Sequence, residues 1–374
     1  MSQNVETTPV ELVQFDTRPA GDRFKVGVIR LNRERQVNAL TVEMCDAMLA
    51  QLQEWSSDES VACVVLCGNG ERGFCSGGDV VSVVRAIREG GPRRHVRGDH
   101  QFTSEYRLVR AIFEFGKPLV SVMHGITMGA GLGLAVAARH RVVVPGARIA
   151  MPESRIGLFP DVGAAWFLGR APGHCGAFLA LAGVTMDAGD AIFAGLADHV
   201  VAQADAAHLV ERIAQAGFTG EAAADDVAIG RLLASFERDE GSAAASPLAQ
   251  RFGVLRRIGQ AGTVHDLVEM VDRAAEQDAW FREPAANLRS GSPLSLLVGF
   301  AHFRRARGAS LAAVLNEDLA LARAFVRGGE FAEGVRAALI DKDRQPRWAF
   351  PTLAAVPESY LSTHYLRPAF ACTG

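Results

Sequence analysis

Residues 117–173 read KPLVSVMHGITMGAGLGLAVAARHRVVVPGARIAMPESRIGLFPDVGAAWFLGRAPG. The apolar run Leu119–Met123 has the composition of a buried strand. It gives way to a glycine-rich turn, Gly125 to Gly133, and the spacing predicts a helix from Gly131 to about Arg139. A second apolar segment, Arg141–Val144, follows. Backbone N–H groups at a glycine-opened helix N-terminus have no intrahelical acceptor, and the helix dipole makes them donors toward developing negative charge. Two carboxylates come next, Glu153 after Pro152 and Asp161 after Pro160. Donors for an oxyanion together with a pair of acids are parts suited to acyl chemistry.

The strings HGITMGAGLGL, AMPE and IGLFPDVGAAWFL resemble the crotonase (enoyl-CoA hydratase/isomerase) superfamily. They are most similar to its branch of thioester hydrolases acting on 3-hydroxyisobutyryl-CoA. The resemblance implies an α/β fold, a crotonase-like spiral of ββα turns followed by a helical C-terminal region. It also implies hydrolysis of a short branched hydroxyacyl-CoA in valine breakdown, with coenzyme A as part of the substrate and no other cofactor or metal. Phe74-Cys-Ser-Gly-Gly-Asp79 resembles the family's F-x-x-G-x-D signature, which makes the Gly78 N–H one donor to the thioester oxygen; Ala130 N–H is the second. Glu153 and Asp161 are the implied catalytic acids, and both, with Ala130, contact substrate. Ser104-Glu105-Tyr106 matches the context of a substrate-contacting glutamate, here Glu105. Hydratases of the family carry a catalytic glutamate where this chain has Gly133. Glycine cannot orient or deprotonate water, so two-glutamate hydration is disfavoured.

The remaining sequence is consistent with one soluble globular protein. It has 374 residues, 49% hydrophobic and 22% charged, with a net charge of −3. Nothing in that balance suggests nucleic acid, and no apolar run approaches the ~20 residues of a membrane span. Six scattered cysteines lack zinc spacing, and reduced thiols in a bacterial cytoplasm fit them. Cys75, without a histidine near it in sequence, reads as a small buried residue, and His124 as structural. Residues 1–22 read as a loose leader, 23–204 as the catalytic core and 205–374 as helical. Only 205–290 carries no motif, with Gly241–Ser246 a loop inside it.

Lys25–Leu31 and Val61–Cys67 alternate as strands, and Thr41 is placed to cap the helix that follows it. Turn chemistry accounts for Asn32 and Asn38. Gly68, Gly70 and Gly73 match the dinucleotide pattern GxGxxG but do not open directly into a helix, so that pattern is a decoy. Phe102–Phe115 has a helical stripe of Leu108, Ile112 and Phe115, and Glu105 falls close to it. An acid near a buried face is half-exposed or functional. Asp161 is also placed to cap a helix over Val162–Leu168. Arg85, Arg88, Arg93, Arg94 and Arg97 form a basic stretch that could meet the phosphates of coenzyme A or simply be solvated. Ser292-Pro293 and Ser310 start two C-terminal helices, and 329–348 resembles the hydrolase tail. Relatives assemble as trimers or hexamers, which leaves a homo-oligomer open. The alternative functions are an enoyl-CoA hydratase or isomerase, and an acyl-CoA-binding protein without turnover.

Overall fold

The computed structural model describes residues 11–236 and 246–366. The loop expected at Gly241–Ser246 lies outside them except for Ser246, whose hydroxyl accepts the Ala249 N–H and caps a short helix. Six strands form the main sheet in the order β1 (Val13–Ala20), β2 (Phe24–Leu31), β3 (Val61–Gly68), β4 (Leu119–Met123), β6 (His140–Val143) and β8 (His199–Val200). β1 runs antiparallel to β2, and the other pairs are parallel. A parallel sheet must be covered on both faces. Period-two alternation supplies the two faces here: Ile29, Leu31, Val64 and Leu66 enter one apolar cluster, Val26, Val28, Cys63 and Val65 the other. The second face is closed by Leu209, Val210, Ile213, Ile229 and Leu233, which gives the motif-free stretch a structural task.

The expectation of a loose leader is corrected by β1. Val13 and Ala20 are buried at its ends and Phe15 meets Trp55 edge-on. Pro19 is tolerated because β1 is an edge strand. Residues 1–10 lie outside the described part.

A second layer produces the spiral. β5 (Ile126–Met128) pairs in parallel with β7 (Arg148–Ala150). On the other side of β5 lies segment 73–78, since Cys75 N–H donates to Ile126 O and Met128 N–H to Cys75 O. Leu40 closes the row, donating to Gly77 O and accepting from Asp79 N–H. Each turn thus runs from the main sheet through this layer to a helix: α1 (Val42–Ser57), α2 (Val80–Glu89), α3 (Val96–Phe113) and α4 (Ala130–Ala137). Thr41 caps α1, as its sequence position suggested. α2 starts twelve positions beyond Gly68, at Val80, so the GxGxxG glycines open no helix. α3 begins at Val96, well before the expected Phe102. Ser292 and Ser310 cap helices Pro293–Arg305 and Leu311–Gly328 as expected. These pack on α3 and the Asp161 segment, and one apolar cluster runs through both halves of the chain.

Candidate active site

A cavity of about 970 Å³ opens where the second layer meets the C-terminal helices. Gly78, Ala130, Glu105, Glu153 and Asp161 all line it, so residues far apart in sequence converge on one space. Segment 73–78 and β5 are hydrogen-bonded neighbours, which brings two glycine-rich turns together. A Cβ built on Gly77 would stand 3.7 Å from Ala130 N. Ala130 is the first residue of α4, so its N–H has no acceptor in the helix. Among the described residues neither Ala130 N–H nor Gly78 N–H donates to a backbone carbonyl. Two free amides therefore border the same cavity.

Gly129, just before them, has φ +53, a conformation costly for a side-chain-bearing residue. It is also confined by Glu153, whose Oε1 would lie 2.8 Å from a Cβ there. Glu153 begins a single 3₁₀ turn, Glu153–Ile156, after Pro152. Its side chain is buried, and Oε2 has no hydrogen-bond partner among the described residues. Burial, and next the charge of Asp161, hold its carboxyl well above the usual carboxylate range. An ionisable group so poorly solvated at the floor of a cavity is a candidate for chemistry.

Asp161 is buried as well, and burial pushes it up to about 7. The largest opposing effect is the hydroxyl of Tyr106, which donates to Asp161 Oδ2 at 2.5 Å. The expected capping role is corrected. The helix here is only Ala164–Phe167, its N-cap is Gly163, and Asp161 gives Ala164 N–H its backbone carbonyl while the side chain turns to Tyr106. Tyr106 was the residue missed from sequence. Its only signal was adjacency to Glu105 on α3, where successive residues differ by about 100° and can border one site.

Glu105 is buried and burial pushes it up to about 8. Gln101, one turn earlier, donates to its Oε1 at 2.7 Å and to Leu40 O at 2.8 Å. That oxygen would stand 2.2 Å from a Cβ on Gly78, so glycine is required there by space rather than by φ. Gly133 is filled over in the same manner: a Cβ on it would lie 2.8 Å from Val162 Cβ. Asp79 caps α2 through Ser82 N–H and pairs with Arg33 at 2.9 Å. Of the basic stretch only Arg85 lines the cavity. Arg93 and Arg94 are exposed away from it, and the arginines that join Arg85 are Arg33, Arg72, Arg155 and Arg344. Cys75 is buried, with a thiol pushed up to about 12 by burial, and His124 Nε2 bonds Gly70 O, so both are structural as read. Asn38, at φ +55, spans Asn69 and Phe74 carbonyls as a loop tie.

Comparison with known proteins places the chain in a family. The family model described as enoyl-CoA hydratase/isomerase matches residues 26–365. A zebrafish protein named mitochondrial 3-hydroxyisobutyryl-CoA hydrolase is 37% identical over 90% of this chain and 86% of its own. The human protein of that name is 34% identical over 91% and 86%. Among solved structures, one titled carnitinyl-CoA dehydratase from Mycobacterium thermoresistibile has TM-score 0.82 and 32% identity, covering 95% of this chain and 96% of its own. One titled enoyl-CoA hydratase from Rhodobacter sphaeroides has TM-score 0.81 and 34% identity, covering 95% and 97%. Among the described residues no helix is long and apolar enough to cross a membrane. With the spiral, the helical tail and the match over nearly the whole length, the chain belongs to the enoyl-CoA hydratase/isomerase family.

Proposed function

We propose that this protein hydrolyses a short branched β-hydroxyacyl-CoA thioester, 3-hydroxyisobutyryl-CoA, to the free hydroxyacid and coenzyme A. The observation that carries the reading is the acid pair Glu153 and Asp161, both buried and lining one cavity with two backbone N–H groups that donate to no backbone carbonyl among the described residues. Gly78 and Ala130 N–H would hold the thioester oxygen and stabilise it as it becomes an oxyanion, an effect typically worth ~3 kcal/mol per donor. Two acids in one dry site titrate as a unit, and the singly ionised pair contains both a base and an acid. As carboxylate, Glu153 attacks the carbonyl carbon or takes a proton from the water that does. As the tetrahedral species collapses, the C–S bond breaks and the sulfur receives a proton through Asp161; where Glu153 is the nucleophile this leaves a mixed anhydride, which water then cleaves at the Glu153 carbonyl to release the hydroxyacid and restore the carboxyl group. Glu105 would accept the substrate hydroxyl, and an analogue lacking it leaves that buried acid unpaired. The five arginines at the rim suit the phosphates of coenzyme A.

The test offers 3-hydroxyisobutyryl-CoA and crotonyl-CoA separately, following free thiol and enoyl absorbance. Thiol release from the first is expected; loss of enoyl absorbance without thiol identifies a hydratase instead. Glu153→Gln should abolish turnover and keep substrate binding, and retained turnover removes it from the mechanism. Single turnover in ¹⁸O-water separates attack by Glu153, which labels the protein, from attack by water. A second reading, hydration, has its support in the titles of the two solved structures above. Against it stands Gly133, whose side-chain space is taken by Val162.

A further inference from the structure

Asp161 leads into a turn of unusual geometry. Val162 has φ +50 and Gly163 φ +84, two successive left-handed residues. A β-branched residue in that region is a strained outlier that persists only where its surroundings hold it. Val162 is fully buried, wedged against Gly133. The turn also leaves a buried N–H at Gly163, and its acceptor comes from the far half of the chain. Asp318, on helix Leu311–Gly328, takes it on Oδ2 at 2.7 Å. The other oxygen, Oδ1, is bonded to His302 Nε2 at 2.6 Å from helix Pro293–Arg305. Both side chains are wholly buried. His302 Nδ1 faces Glu317 at 3.5 Å, and Glu317 pairs with Arg305 at 2.6 Å, which reaches the surface. Burial pulls the His302 pKa down, but Asp318 and Glu317 outweigh it and raise it to about 9, so the ring is a cation opposite Asp318.

A buried pair of this kind is a weak source of net stability, because desolvation offsets most of the attraction. It does fix geometry, since both carboxylate oxygens are committed. We propose that Asp318, locked by His302, is a positioning residue for Asp161: from the C-terminal helices it anchors the Val162–Gly163 turn that aims Asp161 at Tyr106 and the cavity. Only one residue separates Asp161 from the anchored amide. If the anchor is released, Val162 can relax toward negative φ, and the carboxyl of Asp161 swings with it. This inference rests on the role given to Asp161 in the proposed hydrolysis.

Four variants test it, Asp318→Ala, Asp318→Asn, His302→Gln and, as a control, Leu233→Ala, buried in the separate apolar cluster on the other face of the main sheet. Asp318→Ala should lower kcat about 10- to 100-fold, the penalty of a misplaced group, with KM within about twofold. Asp318→Asn keeps an oxygen for Gly163 and should recover most of that loss. His302→Gln should lower kcat by several-fold at unchanged KM, and it carries the test should Asp318→Ala not fold. Leu233→Ala should lower Tm without changing kcat. The anchor is also read without substrate, by amide hydrogen exchange at Gly163, which should speed up in Asp318→Ala and His302→Gln but not in Asp318→Asn. Wild-type kcat in the folded anchor variants, or unchanged Gly163 exchange, overturns the proposal. Absence of thiol release by the wild-type protein overturns the hydrolase reading instead, and the exchange measurement still decides the anchor.

Discussion

Tyr106 and Glu105 show how much one residue's surroundings decide. The Tyr106 hydroxyl stabilises ionised Asp161 and is the main effect holding it down against burial. Tyr106→Phe removes that donor, so the lower titration of the acid pair moves up. The acidic limb of the kcat profile should shift to higher pH, with kcat at pH 7 falling about tenfold. A profile that does not move separates Tyr106 from the chemistry. Glu105 carries a cost in stability that can be measured. Its folded pKa, about 8, lies above the unfolded value near 4.5. The folded state therefore holds the proton more tightly, and stability is lost as pH rises from about 4.5 toward 8, on the order of 3 kcal/mol by pH 7. Glu105→Gln lacks this loss. Its Tm advantage over wild type should grow between pH 5 and 8 and then level off, while discrimination for the hydroxylated acyl group falls. A constant Tm difference across that range contradicts the assignment.

At the scale of elements, the site depends on the start of α4 and the row of short strands before it. Proline suits the first helical position and removes only the N–H. Ala130→Pro should lower kcat about 10²- to 10³-fold with little change in Tm, whereas Ala130→Gly should stay within about twofold of wild type. Equal activity in the proline variant would show that this amide does not meet the oxyanion. The glycine turns were legible because their motifs are long and a demand such as the positive φ at Gly129 is local, whereas the contact with Glu105 that requires glycine at position 78 comes from α3 and was not. The arginines were less legible. Arg93 and Arg94 are clustered in sequence yet exposed away from the cavity, while Arg33, Arg72, Arg155 and Arg344 meet there from four separate segments. Replacing Arg85 and Arg344 by Ala should raise KM about tenfold. The same change at Arg93 and Arg94 should leave it unaltered.

For the whole molecule, the catalytic core and the helices beyond residue 205 share one apolar cluster. Phe325 lies fully buried between Phe159, near the site, and Tyr365 close to the end of the described chain. Phe325→Ala should therefore cost about 3–5 kcal/mol, and urea unfolding should stay a single transition by both tryptophan fluorescence and circular dichroism. Two transitions would mean that the helical region folds apart from the core. The sequence by itself determined strands β2, β3, β4 and β6 and the helices capped by Thr41, Ser292 and Ser310, because periodicity and capping are local, and its long motifs pointed to the spiral and to five residues that line the cavity. It misjudged residues 13–20, since an edge strand that borrows its stability from β2 and Trp55 carries a weak pattern of its own. Only the tertiary structure decided that Tyr106 serves Asp161, that Val162 fills the space over Gly133, and that Asp318 answers a backbone amide 155 positions away. Those are contacts between elements, and a buried polar group finds its partner through packing in three dimensions, which spacing along the chain does not record.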